Sequence, residues 1–130
     1  MTEYSIYDII DRIRSRTGMY VGEVTLSSIN VFLTGYCVAM KDSGIPDTTS
    51  PAFFPDFNIW VKNKLGFDSS CIGWCSMILA FSVNPEAPIL RDSIDEICRM
   101  AKKPEHDKSV DLFFSLVDEY KQKNISNNLL

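Results

Sequence analysis

The sequence predicts an all-α protein, mainly one compact bundle of about five to six helices formed by residues 1–130. Three observations carry that expectation. Apolar residues recur at three- and four-residue spacing in segment after segment. Glycine and proline punctuate the chain between those segments, and no stretch alternates apolar with polar residues as a half-buried strand does. Six amphipathic segments joined mostly by short connections must bury their stripes against one another, which is a helical bundle.

Ile6, Ile9, Ile10 and Ile13 lie at i, i+3, i+4 and i+7, so the first helix carries one isoleucine stripe, with Asp8, Asp11, Arg12 and Arg14 largely off it. Ser5 or Thr2 is its expected cap, and Gly18 its expected left-handed stop. Met19 to Gly22 reads as a short apolar link, with a small hairpin around Met19 to Val24 as an option. A second helix starts after Thr25, carries Leu26, Ile29, Phe32, Leu33, Tyr36, Cys37 and Met40, and stops at Ser43-Gly44. Gly35 in its middle suggests a close helix contact. Prolines at 46, 51 and 55 then interrupt a patternless loop, long enough to expect a functional or mobile segment.

Pro55 is suited to the first position of a third helix bearing Phe57, Trp60, Val61 and Leu65 and ending at Gly66. The apolar run from Cys71 to Phe81 fits a helical stripe through Cys71, Trp74, Cys75, Ile78 and Leu79, and helix is preferred over buried strand. After Asn84, Pro85 and Pro88, a fifth helix is expected through Ile89, Leu90, Ile94, Ile97, Cys98 and Ala101, ending before Pro104. Val110, Phe113, Phe114, Val117 and Tyr120 define the last one, with residues 124–130 expected to fray.

Composition narrows the function classes. With 130 residues, 17 acidic and 13 basic side chains, the chain has a net charge of −4. Nucleic-acid binding needs a concentrated basic footprint, and Arg12, Arg14 and Arg16 spread around a helix instead of forming one. No stretch approaches the roughly 20 apolar residues that span a bilayer, so no membrane role is expected. Met1-Thr2-Glu3 does not open a secretory signal, and the four cysteines in a core-rich chain fit a reducing cytoplasm.

No catalytic constellation stands out, and no enzyme is expected. His106 is the single histidine, so every His-dependent nucleophilic arrangement must use it. Its position between Glu105 and Asp107 suits a solvated helix start better than a general base. Cys71 and Cys75 are spaced C-x3-C, without the turn residues usual between zinc cysteines, so core packing is the preferred reading and no metal or cofactor is assigned. Trp60, Trp74, Phe53, Phe54, Phe113 and Phe114 read as core.

Charge is more informative. Glu86 to Tyr120 holds nine acidic against five basic residues, with Asp92, Asp95 and Glu96 on one helix face and Asp107 and Asp111 on another. Such runs are commonly solvated faces, but they also steer a basic partner and speed its association.

Arg16-Thr17-Gly18-Met19-Tyr20-Val21-Gly22 resembles the motif R-P-G-M-Y-[ILV]-G, with threonine in place of proline. One family that uses it, the ATPase region of gyrase B and topoisomerase IV subunits, is set aside. Asp92-Ser93-Ile94-Asp95-Glu96 lies too far along the chain, and the glycine-rich loops that cradle phosphate are missing. The fuller match is to small, mostly uncharacterised bacterial proteins with the same motif. They share a segment similar to Phe32-Leu33-Thr34-Gly35-Tyr36 and one similar to Phe53-Phe54-Pro55-Asp56-Phe57-Asn58-Ile59-Trp60-Val61. A stretch like Gly73-Trp74-Cys75-Ser76-Met77-Ile78 and a final helix like Asp111 to Tyr120 complete the likeness, which covers most of the chain in order.

That resemblance implies a shared fold and, because some members stand beside toxin genes, an immunity protein that neutralises a cognate toxin domain delivered by contact-dependent inhibition. The expected partner is a basic toxin, for instance a nuclease, met by Asp92, Asp95, Glu96, Asp107 and Asp111, with Phe53 added as an anchor on condition that it is exposed. The alternative is a small-molecule-binding or regulatory module with a pocket around Trp60 and Trp74.

Overall fold

The computed structural model describes residues 2–69, 72–90 and 94–129, with backbone alone for residues 127–129. Seven α-helices and one 3-10 turn account for its regular structure, and no strand occurs among the described residues. The expected all-α bundle is therefore what forms. Each of the six expected segments has a helix, and α2 is the addition.

Helix α1 (Ile6–Ser15) buries Ile6, Ile9, Ile10 and Ile13, the expected stripe. Its cap is Ser5, whose Oγ accepts from the Tyr7 amide at 3.3 Å. The apolar link coils into a short helix, α2 (Thr17–Val21), and no hairpin forms there. Thr17, which stands where the motif has proline, donates its hydroxyl to the Ile13 carbonyl at 2.9 Å and ties α2 to the end of α1. Gly18 lies inside α2, so the positive-φ glycine that ends this helix is Gly22, the last residue of the motif, with φ +77°.

Helix α3 (Leu26–Asp42) starts at Thr25, whose Oγ1 accepts from the Ser28 amide at 3.2 Å. Gly35 marks no close contact: a methyl group placed there meets nothing within 4 Å. Helix α4 (Phe53–Leu65) begins two residues earlier than expected, with Pro55 in its first turn, where no intrahelical amide is lost. It ends on Gly66 in the left-handed region, φ +86°.

Helix α5 (Gly73–Val83) carries no charge and packs against α3, α4, α6 and α7, so it occupies the centre of the bundle. Cys71, which the expected stripe included, lies outside the described residues. The expected fifth helix is broken. A 3-10 turn (Ala87–Ile89) buries Ala87, and helix α6 (Ile94–Arg99) buries Ile97 against α5. Ile89, assigned to a buried stripe, is instead 75% exposed, because the turn anchors on Ala87 and turns the next residues outward.

Helix α7 (Lys103–Leu129) starts with Pro104 in its first turn and runs through the segment expected to fray. It buries Val110, Phe113, Phe114, Leu116, Val117 and Tyr120 against the other helices. No helix among the described residues is long and apolar enough to cross a membrane.

Candidate functional site

A cavity of about 750 Å³ opens where the end of α3 and the start of α4 meet the N-terminal segment. Ile45, Pro46, Phe53, Phe54 and Pro55 form most of its apolar wall, and Tyr4, Cys37, Lys41 and Asp47 supply its polar atoms. Its shape depends on a strap. Residues 46–49 lie beside residues 4–6, where the Tyr4 amide donates to the Pro46 carbonyl at 3.1 Å and the Thr48 amide to the Tyr4 carbonyl at 2.7 Å. Thr49 Oγ1 accepts from the Ile6 amide at 3.0 Å. Asp47 Oδ1 accepts from the amides of Ile6, at 3.3 Å, and Thr49, at 2.9 Å. The patternless loop is thus stitched down by backbone groups and side chains that favour exactly such local turns and caps.

Around Trp60 and Trp74, where the alternative reading places a pocket, the space is filled. Phe57 stacks on Phe53 at 4.6 Å between ring centroids and meets Trp74, Phe113 and Tyr120 edge-on. Trp74 stacks on Phe113 at 4.7 Å. Beside these rings the Tyr120 hydroxyl donates to Asp56, and burial, followed by that bond, raises the phenol's pKa.

The acidic candidates separate into different situations. Asp92 lies outside the described residues. Asp95 and Glu96 are exposed in the first turn of α6, and no described residue forms an ion pair with either. Asp107 pairs with Lys103 one turn earlier at 2.8 Å, while Asp111 is exposed on α7. Two further carboxylates are engaged, Asp118 by Arg14 at 2.8 Å and Glu119 by Lys64 at 3.5 Å. Phe53 does not meet the condition of exposure that an anchor needs. At 2% exposure it sits in the core, because α4 starts early enough to turn its ring onto Tyr7, Phe57 and Tyr120.

The thiols are spread through the fold. Cys75 donates to the Leu26 carbonyl and Cys98 to the Ser76 carbonyl, each at 3.6 Å, while Cys37 lines the cavity. Among the described residues no group of three or more His, Cys, Asp or Glu is placed to hold a metal ion. His106 is half-buried in α7, not freely solvated, and lines a smaller cleft with Glu23, Thr25, Lys102, Lys103 and Asp107.

Sequence reasoning missed the cavity residues Tyr4, Cys37, Lys41 and Asp47 as a group. The proline-rich loop was a signal for Asp47 alone, whereas the pairing of Tyr4 with a segment more than forty residues away leaves no local trace. Comparison with protein-family models, with curated proteins and with solved structures finds no match to this chain.

Proposed function

We propose that the protein is a cytoplasmic immunity protein that binds a cognate basic toxin domain, plausible substrates of which include nucleic acid, and blocks its active or substrate-binding surface. It acts by occupying that surface, with no chemistry of its own. The observation that carries this reading is a set of exposed residues at Ile89, Leu90, Asp95, Glu96 and Met100. Ile89 (75% exposed), Leu90 and Met100 (67%) lie before and after Asp95 and Glu96 in the chain, and no described residue pairs with either carboxylate. Exposed apolar groups with exposed charge are what a steered protein interface uses: the charges accelerate encounter and the apolar groups hold the complex. The anchor thus moves from Phe53, which is buried, to Ile89 and Met100.

The test is co-expression with the product of the neighbouring gene, followed by binding kinetics of the purified pair. The double substitution Asp95→Lys and Glu96→Lys is expected to slow association about tenfold or more at low salt and to abolish protection. The difference should shrink as salt screens it. Both side chains are exposed, so the melting temperature is expected to hold. Unchanged association at low salt removes this surface from the proposal, and absence of any binding by the wild-type chain removes the reading itself.

A further inference from the structure

The cavity between α3 and α4 has a composition that the partner-binding reading does not use. Its volume, about 750 Å³, lies within the range of small-molecule sites, about 300–1,000 Å³. Its apolar lining comes from Ile45 and Pro46 at the start of the strap and from Phe53, Phe54 and Pro55 of α4. Two features give it a positive end. Lys41 is exposed at the wall and no described carboxylate pairs with it. The first turn of α4 also borders the cavity, and Ala52 before it has no side-chain oxygen to cap the leading amides.

Asp47 is the one acidic group on the cavity wall. Its Oδ1 is committed to the Ile6 and Thr49 amides, which hold it to the strap. Its remaining charge tolerates a monoanion near Lys41 but opposes a dianion such as a phosphate ester. A neutral apolar ligand would cover Lys41 and the uncapped amides without satisfying them, which disfavours it.

We propose that this cavity binds a small amphipathic monocarboxylate, its apolar body between the strap and α4 and its carboxylate at Lys41 and the start of α4. Cys37 on the same wall supplies a local reporter, because a ligand seated there covers the thiol. Cys75 and Cys98 are bonded to carbonyls elsewhere and serve as internal controls.

The experiment uses the full chain with decanoate below its micelle concentration, decanol and decylamine as matched probes, and two readouts. These are the melting temperature and the rate of maleimide labelling at Cys37, mapped by mass spectrometry. Decanoate is expected to raise the melting temperature and slow Cys37 labelling selectively, with an apparent affinity about tenfold above that of decanol. Lys41→Gln should bring decanoate down to the level of decanol and leave decanol unchanged. Ile45→Trp, which fills the cavity from the strap, should remove both effects while Cys75 labelling confirms the fold.

No slowing of Cys37 labelling by decanoate at about 1 mM overturns the proposal. So does equal binding of decanoate and decanol that Lys41→Gln does not alter, or tighter binding of decylamine, which would put Asp47 in charge. The measurement needs no toxin, so its failure leaves the partner reading intact.

Discussion

On one side of Phe53 the chain packs ring against ring, while on the other it is tied by polar bonds and leaves space. Toward α5 and α7, Phe53, Phe57, Trp74, Phe113 and Tyr120 form a continuous aromatic core, with Phe57 touching every other member. Toward α3, the strap is fixed through Tyr4, Ile6, Asp47, Thr48 and Thr49. Aromatic burial is non-directional and fills volume, so it makes a core. Hydrogen bonds set distances between particular atoms but fill nothing, so a segment held by them can stand off and leave a cavity. Phe53 belongs to both regions, which is why its sequence context, a loop end next to a helix, misrepresents it.

The comparison predicts its largest effect at Phe57. It is fully buried, and Phe57→Ala removes the ring on which the others converge. A loss of about 3–5 kcal/mol is expected in urea unfolding, the usual range for a large aromatic core truncation. A loss under about 1 kcal/mol would break the comparison, since it would mean the ring cluster collapses easily around the gap.

What the sequence made legible follows from the same division. The isoleucine stripe of α1, the Thr25 cap of α3 and the Gly66 stop of α4 were readable because each depends on residues within a turn or two. The buried helix at α5 was readable from its apolar composition. The 3-10 turn at Ala87–Ile89 was not, because the periodic apolar residues run through it and only tertiary packing leaves Ile89 exposed. Among the expected site residues, Asp95, Glu96 and Asp111 are exposed as the charge pattern implied. The pairing of Asp107 with Lys103 follows helix spacing, whereas that of Asp118 with Arg14 is set by how α1 and α7 pack.

The second effect compares two thiols. Burial pushes Cys75 up from the ordinary 9.0 to about 12. Burial also raises Cys37 at the cavity, with Tyr4 pulling it back. A raised pKa means that the folded chain holds the proton more tightly than the unfolded chain does. The stability this contributes is fully present below pH 9.0 and is lost as pH rises toward about 12. Tyr4, Tyr7 and Tyr120, all raised mainly by burial, act in the same direction. Melting temperature is therefore expected to fall above pH 9, and Cys75→Ala should make the early part of that fall shallower. An identical slope in the variant would assign the alkaline loss to the phenols and the other thiols that burial raises, Cys37 and Cys98.

The smallest effect is expected at the strap. Asp47→Ala removes the carboxylate that holds the Ile6 and Thr49 amides, and the residue is exposed, so water replaces part of what is lost. A global cost of about 1 kcal/mol follows from the usual net worth of such bonds. Its distribution is more telling than its size. Hydrogen exchange at the Ile6 and Thr48 amides should accelerate, while the amides of α5 and α7 keep their protection. If all of them accelerate together, the strap and the aromatic core unfold as one unit, and the wall of the cavity is as rigid as the rings behind it.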